Sequence, residues 1–596
     1  MQDIFDELYA KSKQGIIFNN LYDIIIKQEN IVLAYREIKR NKGSKTAGVN
    51  GHTIKYWEKK TTQEYVSYIQ RRFQNFYPHK VKRKEIPKTN GKIRPLGIPT
   101  MEDRFIQQCI KQVLEPILEA KFHFRSYGFR PNRSTTHAIS EFIRSVNHDK
   151  LYWIVDVDIK GFFDNVNHGK LLKQLWTLGI RDKRILAIIS KMLKAEIEGI
   201  GKPTKGTPQG GILSPLLANV VLNELDWWLD SQWKSFDIEE VEPYYRKGYN
   251  YSERSCIYTR LRQTTKLKEM SFVRYADDFK ILCRNKKDAN KAFHAVKLWL
   301  KDRLDLEINE EKSKVRNIKN SPSGFLGFTF IAREKGNKIV MHSHMTHETQ
   351  EEAIAKIKES IREIKRSPTN KNVSRYNSVV LGLQNYYQTA THISDDMANI
   401  DYKVHTFRYN QLKSVMTYNG EPSRTYKKIY KGYNYKKIFV ANTCLFPISA
   451  VKHKYPIGFQ RDICNYTPEG RQRIHDNLKI NMNILHYLME NPPENSSVEL
   501  ADNRISRYSA QWGKCGVSNE VLEIGNMELH HIKPVSQGGT DSYRNLVWLA
   551  YDIHKLVHAT EKLTIEKYLK KVYLDEQQLG KLNKLRIKVG NCVIEQ

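Results

Sequence analysis

The chain has 596 residues, with 98 Lys and Arg against 65 Asp and Glu, a formal net charge of +33 and 40% hydrophobic residues; at roughly 150 residues per domain it should hold about three to five domains. So large a positive excess strains a compact fold unless a polyanion balances it, which points to nucleic acid, with the 33 Tyr as faces for stacked bases. Seven Cys without a CxxC pair give no sign of a disulfide framework, no apolar run is long enough to cross a membrane, and with an acidic start (Asp3, Asp6, Glu7) no signal peptide is expected.

Residues 1–40 carry Ile24, Ile25, Ile31, Val32, Tyr35 and Ile38 at helical spacing. They lead into a basic loop, Asn41 to Gly51, which is either a connector or a grip on a backbone phosphate. Residues 79–104 read as a basic hairpin turning at Asn90-Gly91. Lys88 and Arg94 flank that turn on opposite strands, which lets both converge on one phosphate; a solvated, lysine-guarded edge is the alternative. Helices are predicted over 103–122 and 134–147, the second capped by Ser134, with a basic-aromatic loop between them that holds Tyr127, Phe129, Arg130 and Arg133. In Trp153-Ile154-Val155-Asp156-Val157-Asp158, strand alternation puts Asp156 and Asp158 on one face, just before the turn Gly161-Phe162-Phe163-Asp164. A carboxylate at such a strand end suits a metal, although one of the two can be merely salt-bridged. Gly206-Thr207-Pro208-Gln209-Gly210-Gly211 is a glycine-rich turn ahead of an apolar helix from Leu216 to Leu225. Its glycines would let a ligand approach the backbone, and Gln209 offers both donor and acceptor.

After a tyrosine-rich insertion at 233–270 (Tyr244, Tyr245, Tyr249, Tyr251), Phe272 to Cys283 reads as strand, tight turn, strand, with Asp277-Asp278 at the turn. Adjacent carboxylates repel unless a cation sits beside them, and a hard divalent ion does that while keeping positions open for substrate phosphates. An Asp-Asp pair alone is more often a solvated turn; the rest of the chain weighs against that. An amphipathic helix (286–304) and a strand from Gly324 to Phe330 follow. Beyond 345 the pattern turns helical, with Ile354, Ile357, Ile361 and Ile364 in register up to Pro368, then helices around Val379 to Tyr387 and over 400–416. Tyr426, Tyr430, Tyr433 and Tyr435 interleave with lysines over 426–437, a mix that suits phosphates plus base faces or else a solvated basic face, and 490–496 reads as a linker. In the last unit, 505–560, His554 and His558 share a helix face, and His530 can join them in a three-imidazole metal site. His531, on the other side of the strand, is placed to serve as a general base for water.

The order of these blocks resembles the group II intron-encoded protein family, which combines reverse transcriptase, maturase and, in some members, an HNH DNA endonuclease. The resemblance rests on Arg94-Pro95-Leu96-Gly97-Ile98-Pro99, Asp158-Ile159-Lys160-Gly161-Phe162-Phe163-Asp164, Gly206-Thr207-Pro208-Gln209-Gly210-Gly211-Ile212-Leu213-Ser214-Pro215 and Tyr275-Ala276-Asp277-Asp278. It implies an α+β multidomain chain: an N-terminal extension with a template-gripping loop (1–75), right-hand polymerase fingers and palm with an antiparallel sheet (76–345), an α-helical thumb or maturase domain (346–430), a basic DNA-binding region (431–504), a ββα-metal HNH finger (505–565) and a tail (566–596). It further implies that Asp158, Asp277 and Asp278 hold two Mg²⁺ ions about 3.5–4 Å apart, with Asp156 and Asp164 as lesser candidates. Lys88, Arg94 and Gln209 match residues around an incoming deoxynucleoside triphosphate, and Phe163 matches the aromatic that blocks a ribose 2′-hydroxyl. In the finger, His530, His554 and His558 match the ligands of one divalent metal, His531 the general base and Asn545 the orienting asparagine.

Many members frame that finger with two CxxC pairs. Here Ser518 follows Cys515, and Ala550 and Ile553 stand where the second pair falls, so no structural zinc is expected and Leu546, Val547 and Leu549 should pack instead. The partners implied are group II intron RNA, target DNA, an RNA template with its DNA primer, and deoxynucleotides, without a membrane and with dimerisation left open. A cytoplasmic location is expected, in a bacterial cytosol or an organelle-like compartment. The implied function is RNA-directed DNA synthesis, splicing assistance and target-DNA nicking for intron homing. The alternatives are an RNA-binding splicing maturase with little or no endonuclease activity, and an RNA-copying polymerase with no intron role, against which the helices after 345 and the last unit speak.

Overall fold

A computed structural model describes residues 1–87, 93–234, 253–475, 484, 485, 487, 488, 491, 493 and 496–595. Lys88, the Asn90-Gly91 turn, Tyr244, Tyr245, Tyr249 and Tyr251 lie outside the described residues. Near the N-terminus, helices Gln2–Lys13, Gln28–Arg40 and Thr62–Gln74 surround the long helix Met101–Glu119. Thr61 starts the third of these through a reciprocal capping box with Glu64. Strands β1 (Lys82–Pro87) and β2 (Ile93–Ile98) form an antiparallel hairpin with Ile86 opposite Arg94.

The central sheet comprises β3 (Trp153–Asp158), β4 (Met270–Tyr275), β5 (Asp278–Cys283) and β6 (Lys314–Asn317), antiparallel throughout in the order β4-β5-β3-β6. Alternation along these strands divides two cores. Val155, Val157, Phe272, Phe279 and Ile281 point into the core shared with the N-terminal helices, while Ile154, Val273 and Leu282 point into a second core. That second core is completed by a meander, β7 (Ser323–Phe325), β8 (Phe328–Lys335) and β9 (Lys338–Met345), and by helices His347–Arg366, Asn370–Tyr387 and Ile393–Leu412. The single strand expected from Gly324 to Phe330 is instead a hairpin, because Leu326 (φ 52°) and Gly327 (φ 82°) both take the left-handed conformation of a two-residue turn.

A small sheet, β10 (Met416–Thr417), β11 (Phe439–Val440) and β12 (Thr443–Cys444), follows. Beside it Tyr426 and Tyr430 are 3% and 5% exposed, whereas Tyr435 is 76% exposed, so half of that lysine-tyrosine pattern serves packing. The basic-aromatic loop is likewise structural in part. Arg130 forks onto Glu119 and the carbonyl oxygens of His123 and Ser126, and Arg133 stacks on Phe459.

A third core holds helix Val498–Ala510, β13 (Met527–His531), β14 (Leu546–Ala550) and helices Tyr551–His558 and Glu576–Lys588. Buried Cys515 packs there with Val517, Leu549 and Ile553, and its Sγ accepts the Ala550 N–H. The segment read as a linker ends in a tether. The Ser496 carbonyl accepts the Thr62 N–H at 3.0 Å, Arg36 pairs with Asp502 at 3.5 Å in a buried contact, and Lys39 reaches Glu499 at 3.5 Å.

One buried ion pair fixes the turn between β4 and β5. Arg274 and Asp226, 1% and 0% exposed, meet bidentately: Nε to Oδ1 at 2.7 Å and Nη2 to Oδ2 at 2.5 Å. Arg274 Nη1 donates to Asn219 Oδ1 and to the Ala276 carbonyl, and Asn219 Nδ2 donates to the Gly128 carbonyl. Gly128 has to be glycine, since a Cβ there would lie 2.3 Å from the Ala276 nitrogen. Asp226→Ala should therefore strand the guanidinium of Arg274 and destabilise the protein by about 3–5 kcal/mol, read as a lower melting temperature.

Candidate active sites

The first site lies where β3 ends and the β4–β5 hairpin turns. Register puts Asp158 directly opposite Asp278, with Asp277 at the turn and Ala276 left-handed at φ 58°. Like charges directly opposite on neighbouring strands destabilise a sheet. Here Lys312 Nζ lies 3.5 Å from Asp158 and Lys280 Nζ 3.9 Å from Asp278. Burial under the turn raises the Asp278 carboxyl to about 6, with Asp277, Asp156 and Asp158 pushing the same way and Lys280 opposing, even though 44% of its side-chain surface faces outward. A hard divalent ion suits this all-oxygen set.

Asp156 shares the face but has other work. It forms ion pairs with Lys280 Nζ at 2.9 Å and Arg316 Nε at 2.7 Å, accepts a hydrogen bond from Ser323 Oγ at 2.8 Å, and is buried. Asp164 is exposed on the short helix Phe162–Asn165.

That helix forms one wall of the site. The Phe163 carbonyl accepts the Thr207 N–H at 2.7 Å, which brings the glycine-rich turn alongside half-buried Phe163. The Gln209 carbonyl accepts the Gly97 N–H at 2.8 Å, so the same turn is pinned to β2. Gly210, at φ 124°, lets the two backbones touch: a Cβ would sit 2.5 Å from the Gly97 carbonyl oxygen. The approach expected here for a ligand is made by the protein's own strand. Gln107, from the buried helix Met101–Glu119, holds the far end of the turn by accepting the Ile212 N–H. A cavity of about 360 Å³ opens between β2 and this turn, lined by Leu96, Asp164, Lys205 and Gln209. Arg94 lies on β2 at the hairpin end, opposite Ile86. The Asn41–Gly51 loop is pinned to the same helix, through Arg104 to the Gly43 carbonyl and through Asn50 and His52 to Glu102.

The second site is built on β13, β14 and helix Tyr551–His558. His530, buried, joins His554 and His558, and their ligand atoms all lie within 4.8 Å of one another. It is the one cluster of three such groups among the described residues. Burial, then the neighbouring imidazoles, push His530 down to about 3; burial, His558 and Lys555 take His554 to about 4, and His558 is lowered too. All three rings are therefore neutral near pH 7, as metal ligation needs. His530 Nε2 is buried without a hydrogen-bond partner, an orphan that a borderline-soft divalent ion would satisfy. His531 alternates to the other side of β13, where its Nε2 lies 2.9 Å from Asp541 Oδ1. Asn545 latches the intervening loop, accepting the Lys533 N–H and donating to the carbonyls of Lys533 and Thr540.

Arg274, Asp226, Asn219 and Gln107 escaped the reading of the sequence. The available signal was a lone charge in an apolar run: Arg274 after Phe272-Val273, and Asp226 inside a helix of leucines and valines. Such a charge has to be paired.

Residues 86–330 match the family described as reverse transcriptase (RNA-dependent DNA polymerase), so this part of the chain is a reverse transcriptase domain. The chain is 30% identical over 482 residues to the group II intron-encoded protein LtrA of Lactococcus lactis subsp. cremoris, a match covering 71% of this chain and 79% of that protein. It belongs to the group II intron-encoded protein family. It is also 31% identical over 334 residues to the protein YkfC of Escherichia coli K12, covering 54% of this chain and 86% of that one. Nuclear intron maturase 2, mitochondrial, of Arabidopsis thaliana is 29% identical over 178 residues, covering 23% of this chain and 24% of its own length.

The raised Asp278 carboxyl carries a sign. Its value is about 6 in the fold against 3.8 for the free group, so the native state holds that proton more tightly. Metal-free protein then loses stability as pH rises from about 4 through 6. Asp278→Asn should raise the melting temperature in EDTA at pH 8 and leave it unchanged at pH 4.

Proposed function

We propose that this chain is an RNA-directed DNA polymerase that also assists splicing of a group II intron RNA and nicks target DNA to prime its own synthesis. The pairing of Asp158 with Asp278, beside Asp277 on the accessible rim of the central sheet, carries the first part of this reading. Bound Mg²⁺ would supply the charge that lowers the pKa of a primer 3′-hydroxyl and steadies a leaving pyrophosphate. The protein's own part is positional. Asp158, Asp277 and Asp278 hold the ions, while the clamp on Arg274 keeps the hairpin turn in place. Phe163 and Gln209 line the nucleotide's sugar, Phe163 excluding a 2′-hydroxyl, and Arg94 together with Lys88 takes the triphosphate.

On this reading residues 1–75 grip the template, 76–345 are fingers and palm, 346–430 are thumb and maturase surface, and 431–504 bind DNA. The maturase part is supported by the net charge of +33 and by Tyr402 and Tyr409, 82% and 50% exposed on helix Ile393–Leu412, which offer stacking faces. The nuclease part, over 505–565, is supported by the neutral imidazole trio. His530, His554 and His558 would hold one divalent ion, His531 would take the proton from the attacking water, and Asn545 would hold the loop that follows His531.

Two outcomes test the assignment. Asp277→Ala combined with Asp278→Ala should abolish primer extension on an RNA template with deoxynucleotides and Mg²⁺, while RNA binding and splicing assistance persist; loss of all three together would contradict separate sites. His531→Ala should lower DNA nicking by about 10²–10⁴-fold and leave primer extension unchanged; an unchanged nicking rate would put the base elsewhere.

A further inference from the structure

We propose that Asp541 is the positioning residue for His531, and that Ser497 locks it in place from the helix that docks the C-terminal unit onto the N-terminal helices. The inference rests on the reading of His531 as the base of a nuclease.

Both carboxylate oxygens of Asp541 are engaged. Oδ1 lies 2.9 Å from His531 Nε2, and Oδ2 accepts the Ser497 hydroxyl at 2.5 Å. Its backbone carbonyl accepts Asn503 Nδ2 at 2.7 Å, and Asn503 Oδ1 in turn accepts Lys39 Nζ at 3.1 Å. Rotating the carboxylate away from His531 therefore breaks two bonds at once. An ionised carboxylate only accepts, so the proton of the neutral ring sits on Nε2 and the lone pair is left on Nδ1. Nδ1 is the atom that would receive a proton from water. Without Asp541 the ring is free to turn about its side chain and to carry its proton on either nitrogen.

Ser497 is itself over-determined. Its Oγ accepts the Leu500 N–H as the N-cap of helix Val498–Ala510 while donating to Asp541. The backbone around it is tied to the N-terminal helices: Thr61 and Ser497 are bridge partners, the Ser496 carbonyl accepts both the N–H and the hydroxyl of Thr62, and the Val498 N–H reaches the Lys60 carbonyl. The orientation of His531 is thus set from a segment more than four hundred residues upstream in sequence. Asn545, which latches the loop between Lys533 and Thr540, supports that loop from the other side and does not touch the imidazole through its side chain.

The test uses the full chain and supercoiled plasmid DNA with Mg²⁺, comparing Asp541→Ala in the wild-type and His531→Ala backgrounds. The expected result is a loss of nicking of about 10–100-fold in the wild-type background, with Ni²⁺ affinity and primer extension unchanged, and no further loss in the His531→Ala background. Wild-type nicking by Asp541→Ala, or the same loss in both backgrounds, overturns the proposal and leaves the nuclease reading standing. A wild-type rate in His531→Ala, or no nicking by the wild type, overturns that reading instead. In that case the ring nitrogens of ¹⁵N-histidine-labelled protein decide the positioning claim: Asp541→Ala should move His531 from a single Nε2–H tautomer to a mixture, and an unchanged tautomer sinks it.

Discussion

A guanidinium sealed from water has to find an acceptor on every side, and Arg274 spends its donors on Asp226, Asn219 and the carbonyl of Ala276. Those acceptors belong to a helix and to the hairpin turn, and Asn219 passes the contact on to the Gly128 loop. The result is a rigid seat directly behind three carboxylates that push one another apart. An electrostatic cluster of this kind would relax a softer turn, because spreading the charges is the cheapest response to repulsion. Here relaxation would unpair a buried ion pair, at a cost of about 3–5 kcal/mol. The clamp holds the rim of the sheet in place through the Ala276 carbonyl at the turn.

The two candidate sites solve opposite problems. At the hairpin the ligands are anions, and their cost in the absence of a cation is Coulombic, softened by Lys280 and Lys312. At the finger the ligands are imidazoles that burial holds neutral, so three of them pack within 4.8 Å without repelling. The first set of donors matches a hard ion that keeps its waters and bridges phosphates; the second matches a borderline-soft one held by nitrogen. The two sets of donors thus differ in the class of metal that their chemistry suits.

Much of this was legible from local pattern. Strand alternation placed Asp156 and Asp158 on one face, Ser134 capped its helix through His137, and Pro368 falls just past the helix that ends at Arg366. Patterns of this kind are set by neighbours in sequence, so sequence displays them. The pairing of Asp158 with Asp278 depends on the strand order β4-β5-β3-β6, which no local pattern encodes. Composition also misled where one residue type has two uses. Arg130 and Arg133 of the basic-aromatic loop are spent on Glu119, on carbonyl oxygens and on Phe459, while Tyr426 and Tyr430, in a pattern that suits base faces, fill a core. Gly210 advertised space for a ligand, but β2 occupies it.

The buried bridge between Arg36 and Asp502 has a consequence for biogenesis. Translation at about 5–20 residues per second leaves roughly half a minute to a minute and a half between the two residues leaving the ribosome. Throughout that interval the early helix presents its cationic face, with Lys39 beside Arg36, to whatever polyanion is near, before the helix whose Glu499 and Asp502 cover it has been made. The nascent protein thus exposes a basic surface that the folded one buries.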